Sequence, residues 1–400
     1  MNNDVVVTGI GVVSALGIGV DNQVSSLKAG KSGIGKLSLF STRHAPMVGE
    51  IKYSNEQIVE LLKLSKEKIH SRTTLIGLLA AKEAFDDSGL KILMDGNDRG
   101  IRIGLISATS VGGMDVSENF YRIYKEDRRK GRLRYVKEHG CTSTQIIADY
   151  LGVNDFVTTI STACSSANNA IMLGARMIKH GMLDAAVVGG TDALCRFTIN
   201  GFSSLGILDK ELCRPFDENR AGLNLGEGAG YLVLQSSKTK SKKIYGAISG
   251  YANANDAFHQ TASSAHGEGA YLAMKKALDM SGLSNNEIDY INVHGTGTPN
   301  NDASEGAAMI RIFGKEVPPF SSTKGFTGHT LGAAGGVESV FAILSLYYGY
   351  IWPNLNFSTP IIGLGLVPET SCIKRDGMKS VITNSFGFGG NCTSLIFSSL

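Results

Sequence analysis

Phe156-Val157-Thr158-Thr159-Ile160-Ser161-Thr162-Ala163-Cys164-Ser165-Ser166-Ala167-Asn168-Asn169 is the stretch on which the reading of the fold turns. Residues 156–160 are largely β-branched and read as a short buried strand. Ala170-Ile171-Met172-Leu173, with Met177-Ile178 one to two turns on, repeat at helical spacing. A strand that passes through a polar turn into a helix is half of an α/β unit, and it places Cys164 at that turn, on the first turn of the helix. Unpaired N–H groups and the positive end of the helix dipole there are expected to favour thiolate over thiol and to make Cys164 a nucleophile. A lone cysteine is more often a small buried packing residue, so the decision rests on the remainder of the chain.

Working outward, the same alternation recurs. Strands are expected at 5–7, 101–106, 184–188, 229–234 and 288–293, and helices at 74–87, 170–180, 269–281 and 335–346. This is α/β alternation with buried sheets. At 400 residues the chain is long for one core and predicts two packed halves. The polar run 235–243 is the natural boundary, dividing 1–237 from 238–400. An internal echo supports duplication: Ser161-Thr162-Ala163-Cys164 opens a helix containing Leu173-Gly174-Ala175, and Ser322-Thr323-Lys324 precedes Leu331-Gly332-Ala333-Ala334. Gly9-Ile10-Gly11 imitates a dinucleotide fingerprint, but Ser14 occupies the third glycine position and no acid-tipped second strand follows, so a glycine turn opening a sheet is expected instead.

A formal charge of +3 with 42% hydrophobic and 19% charged residues describes an ordinary globular chain and argues against nucleic acid as a partner. Cys141, Cys164, Cys195, Cys213, Cys372 and Cys392 show no CxxC spacing, which disfavours a metal site or disulfide framework and fits reduced thiols. The N-terminus lacks signal-peptide regions, and the apolar stretch 339–352 falls short of the roughly 20 residues of a membrane span. It is expected to be a core helix followed by a strand, in a soluble cytoplasmic protein.

Three further segments combine turn glycines with reactive side chains. His294-Gly295-Thr296-Gly297-Thr298-Pro299 leaves the end of one expected strand. Ser321-Ser322-Thr323-Lys324 leaves another and runs on to Gly328-His329. Asn384-Ser385-Phe386-Gly387-Phe388-Gly389-Gly390-Asn391 is a loop with backbone N–H groups free to donate. Each alone has a bland explanation as core histidine, solvated lysine or simple turn, but four such segments at strand ends do not.

With Cys213-Arg214-Pro215-Phe216-Asp217 and Gly226-Glu227-Gly228-Ala229-Gly230, these segments occur in the order found in the β-ketoacyl-acyl carrier protein synthases, which the chain resembles along essentially its whole length. The resemblance implies a thiolase-like fold of two duplicated halves in five α-β-α-β-α layers. It implies acylation of Cys164, an oxyanion hole from the N–H groups of Cys164 and Phe388, and His294 and His329 acting on malonyl carrier. Lys324 would set the electrostatics of the histidines, with Glu338 as its carboxylate partner and Asp302 and Asn391 as supporting residues. Thr296 and Thr298 would bind the phosphopantetheine arm, which arrives on the acyl carrier protein, so no cofactor of the enzyme's own is implied. Val111 would line the acyl pocket.

Lys63, Lys66, Lys68 and Arg72, and Arg128, Arg129, Lys130 and Arg132, form two basic clusters suited to an acidic carrier. The resemblance also implies a dimer, either of identical chains or with a related subunit. Gly390-Asn391-Cys392-Thr393-Ser394 and Arg220-Ala221-Gly222-Leu223 depart from the housekeeping pattern and look more like the ketosynthases of polyene pigment clusters. Two rivals are a thiolase, with Cys392 as its second cysteine, and a catalytically silent chain-length-factor-like partner. The Lys324-to-His329 arrangement opposes the first, and the presence of Cys164 with both histidines opposes the second.

Overall fold

The computed structural model describes residues 4–44, 46–68, 70–95, 100–129 and 140–400. The first half contributes β1 (Val5–Ser14), β2 (Ile103–Ala108), β3 (Phe156–Ile160), β4 (Ala185–Asp192) and β5 (Gly228–Ser236). The second contributes β6 (Gly246–Asn255), β7 (Tyr290–Asn292), β8 (Phe320–Ser321), β9 (Ser380–Phe386) and β10 (Asn391–Ser398). They lie side by side in the order β3-β2-β4-β5-β1-β6-β10-β9-β7-β8. Outward from the centre, each half therefore places its first strand, then its fifth, fourth, second and third. Pairing directions repeat as well: the two outer pairs of each half are parallel and the inner pairs antiparallel. Antiparallel pairing of β1 with β6 joins the halves.

The principal helices are α1 (Arg72–Ser88), α2 (Gly140–Leu151), α3 (Ser166–Lys179), α4 (Glu268–Ser281), α5 (Pro299–Phe313) and α6 (Ala334–Tyr348). Because side chains alternate across a strand, Ile106 and Val188 face one core and their neighbours Leu105 and Val187 another. The first core holds α3 and α6, through Ile171, Ile178, Val340 and Phe341, against strands of both halves. α1 and α2 cover the outer face of the first half-sheet, and α4 and α5 that of the second. The layers read α-β-α-β-α, as the resemblance implied.

One local expectation fails for a packing reason. Gly9 and Gly11 lie inside β1 rather than in a turn. A Cβ there would come within 2.2 Å of the Ala84 carbonyl and 2.1 Å of the Ala80 carbonyl, so the glycines let α1 press onto the strand. The polar run 235–243 begins inside β5, where Gln235 and Ser236 are buried. The apolar run Leu331–Tyr348 is long enough to cross a membrane, but 89% of it is buried inside the fold, and it forms a short 3-10 turn followed by α6 in the middle layer.

Candidate active site

Cys164 lies in a tight elbow between β3 and α3. Ala163, immediately before it, is held at φ 52°, a conformation disfavoured for a residue with a Cβ. The Ala163 carbonyl accepts from the Ser110 hydroxyl at 3.0 Å and from the Ser166 N–H at 3.1 Å, and Ser385 Oγ donates to the Cys164 carbonyl at 2.9 Å. The cap of α3 is Ser165, so Cys164 precedes the helix instead of occupying its first turn. The thiol is buried, and burial pushes it up to about 12, opposed by the Lys324 ammonium and the Phe388 N–H. The expected thiolate is thus corrected: desolvation outweighs the Lys324 charge and the Phe388 N–H, and the resting group is a neutral thiol.

His329 Nε2 sits 3.0 Å from Cys164 Sγ. The His294 ring stands nearly perpendicular to that of His329, 5.4 Å away between centroids. Both imidazoles are held well below their ordinary pKa, by burial first and by the Lys324 charge second, and are neutral at neutral pH. Lys324 is buried and donates to the His294 carbonyl at 2.5 Å and to the Glu338 carboxylate, with Nζ 3.3 Å from His294 Nδ1. An ammonium has no lone pair to offer, so His294 Nδ1 is the acceptor and Nε2 carries the proton. Burial raises Glu338 to about 7 against the pull of Lys324.

Taken alone, Glu305 carries no local sequence signal for a role in the site. Its carboxylate accepts from the N–H groups of His294 at 2.9 Å and Gly295 at 2.8 Å, and from Asn384 at 3.1 Å, which ties the histidine turn to α5 and β9. It lies one helical turn beyond Asp302, a spacing that would have shown both acids facing the same loop. Asp302 accepts from the Phe216 and Gly297 N–H groups. Asn391 accepts from Ser165 Oγ at 2.7 Å and from Asn169 at 2.9 Å, bracing the nucleophile elbow from the second half.

A cavity of about 420 Å³ opens over Cys164, His294 and His329 and is lined by Thr296, Thr298, Phe388 and the apolar wall of Phe202, Ile207 and Leu223. Phe202 stacks on Phe388 with centroids 5.8 Å apart. Val111 does not line this cavity. It packs in the apolar cluster that also contains Phe202, Ile207 and Leu223, while its N–H donates to Asp192. Cys392 also lines it, with its thiol raised to about 12 by burial, but the imidazole contact at 3.0 Å is made to Cys164.

Of the basic clusters, Lys63, Lys66, Lys68, Arg128 and Arg129 are exposed. Arg72 is not available for docking: it is buried, and its guanidinium donates to both Glu227 oxygens, at 2.8 and 2.6 Å. Lys130 and Arg132 lie outside the described residues.

Comparison with known proteins agrees with this geometry. The β-ketoacyl synthase N-terminal domain family matches residues 2–240 and the C-terminal domain family residues 245–358. The 3-oxoacyl-acyl-carrier-protein synthase 2 of Vibrio cholerae serotype O1 is 35% identical over 421 residues, covering 98% of each chain. That of Staphylococcus aureus (strain COL) is 33% identical over 417 residues, covering 99% of this chain and 98% of its own. Among solved structures, the ishigamide ketosynthase/chain length factor superposes with a TM-score of 0.90 at 30% identity, covering 100% of both chains. The ketosynthase ApeO in complex with its chain length factor ApeC, from Xenorhabdus doucetiae, gives 0.86 at 31%, covering 100% of this chain and 98% of that one. This chain belongs to the β-ketoacyl synthase family.

Proposed function

We propose that the protein is a condensing acyltransferase that joins an acyl group held on Cys164 to malonyl-acyl carrier protein with loss of carbon dioxide. The observation that carries this reading is the convergence of a thiol and two neutral imidazoles on one cavity, with a buried lysine–carboxylate pair behind His294.

In the first half-reaction Cys164 Sγ attacks the thioester carbonyl of an acyl carrier. Its proton passes to the departing carrier thiol, the two sulfurs meeting beside His329 Nε2, which sits 3.0 Å from Sγ. The N–H groups of Cys164 and Phe388 receive the developing oxyanion. In the second, the malonyl C–C bond breaks, carbon dioxide leaves, and the electron pair moves onto the thioester oxygen as an enolate. Neutral N–H donors on His294 and His329 stabilise that oxygen, each worth about 3–4 kcal/mol of barrier when well placed. The enolate carbon then attacks the acyl-Cys164 carbonyl, and the released thiolate takes a proton from solvent. The substrate thioester is the electron sink, so the enzyme needs no cofactor of its own.

The phosphopantetheine arm enters past Thr296 and Thr298, and exposed Lys63, Lys66, Lys68, Arg128 and Arg129 draw the acidic carrier to a cytoplasmic enzyme. Among the described residues β3 ends the sheet, an edge that fits a second subunit of the same fold, and one neighbouring structure is a ketosynthase solved in complex with its chain length factor. A silent companion subunit would not need the intact thiol–imidazole contact. The test is to measure acylation of Cys164 and decarboxylation of malonyl carrier separately in His294→Ala. Acylation retained with decarboxylation lost supports the assignment, whereas normal decarboxylation removes His294 from it.

A further inference from the structure

Asp192, at the end of β4, is fully buried and forms no ion pair among the described residues. Its Oδ1 accepts from Thr109 Oγ1 and, at 3.2 Å, from the Val111 N–H. Its Oδ2 accepts from the N–H groups of Ser110 at 2.8 Å and Gly332 at 2.7 Å. These donors belong to two separate segments. Ser110 carries the hydroxyl that holds the Ala163 carbonyl at 3.0 Å, immediately before Cys164. Gly332 lies three residues beyond His329, after Leu331.

Leu331, like Ala163, is a non-glycine residue at positive φ, 55° against 52°. Both sites flanking the Cys164–His329 contact are therefore strained, and such strain persists only where the surroundings over-determine it. The packing is tight: a Cβ on Gly332 would come within 2.7 Å of Asp192 Oδ2 and of the Ser110 N–H.

We infer that Asp192 is a positioning residue, whose carboxylate ties the Cys164 elbow of the first half to the His329 turn of the second and so sets the 3.0 Å separation between Sγ and Nε2. It touches no wall of the cavity, so its effect falls on reaction rate and not on carrier binding. Burial is what chiefly holds the thiol up, and the Asp192 and Glu338 charges add to it against the Lys324 ammonium, while His294 and His329 are uncharged.

The test uses Asp192→Asn and Ser110→Ala in the full-length protein. In either orientation the new amide turns its NH₂ toward two donors, at least one of them a backbone N–H. The inference rests on the proposed function for one arm only. In that arm, single-turnover acylation per folded molecule is expected to fall about 100-fold in Asp192→Asn and about tenfold in Ser110→Ala, with KM for acyl carrier unchanged. In the second arm, carrier-free alkylation of Cys164 by iodoacetamide is followed against pH, and the Asp192→Asn profile is expected to move to lower pH. Wild-type acylation rates in both variants, or a raised KM with kcat kept, overturn the inference, as does an alkylation profile that does not move. If Asp192→Asn does not fold, the Ser110→Ala acylation rate decides. If the wild type never acylates, the proposed function fails while the alkylation arm still decides this inference.

Discussion

Gly387→Ala separates the oxyanion hole from the fold. Gly387 lies at φ −110°, ψ 154°, ordinary extended backbone that alanine adopts without strain. Its surroundings are not permissive: an added Cβ would sit 2.8 Å from the Thr162 carbonyl oxygen, 3.1 Å from the Cys164 nitrogen and 3.2 Å from Ser165 Oγ. Reaching ordinary contact at 3.4 Å requires the loop to retreat by about 0.6 Å from the elbow. The Phe388 N–H, on the next peptide, retreats with it. Loss of one oxyanion donor typically costs about 10²–10³ in rate, or roughly 2.7–4 kcal/mol. Rapid-quench acylation of Cys164 read by intact mass is expected to slow by that factor, while iodoacetamide labelling of the thiol persists and thermal stability changes little. Acylation within about threefold of wild type, roughly 0.65 kcal/mol, would refute the assignment of Phe388.

The buried acids supply further tests. Glu305 is raised from its ordinary 4.5 to about 7 by burial, so the folded state binds the extra proton, and the resulting stability is full below 4.5 and lost as pH rises through 7. Glu305→Gln removes this loss, so its melting temperature relative to wild type should climb between pH 5 and 8. Comparing the two proteins at each pH cancels the opposite contribution of the two histidines, and a difference independent of pH would contradict the assignment. Lys324→Met strands the Glu338 carboxyl, and breaking such a buried pair costs about 3–5 kcal/mol. Denaturant unfolding should show that loss and a partial recovery in Lys324→Met/Glu338→Gln, whereas equal stability of single and double variants would show that the pair is not coupled.

The sequence made the strand-to-helix turn at Cys164 and the loops bearing His294, Lys324 and His329 legible because turn chemistry and strand periodicity are local. The order of the strands is not local, yet the echo between the two halves anticipated the duplication that the sheet shows. What escaped were consequences of three-dimensional burial. Arg72 looks like one more surface cation until Glu227, 155 residues away, is placed against it. Asp192 ends an apolar strand and gives no sign of the two segments it joins. Gly9 and Gly11 read as a turn because nothing local announces the helix pressed onto them. The protonation of Cys164 is not legible locally, because a helix start can be read from the sequence whereas the burial that disfavours the thiolate depends on residues from both halves.

The most direct measurement is intact mass of the wild-type protein and Cys164→Ala after incubation with acyl carrier, followed by addition of malonyl carrier. The expected result is one acyl adduct on the wild type that is discharged when malonyl carrier is added, with β-ketoacyl carrier appearing, and no adduct on Cys164→Ala. An adduct of equal yield on Cys164→Ala, or a wild-type adduct that malonyl carrier leaves in place, would contradict the account.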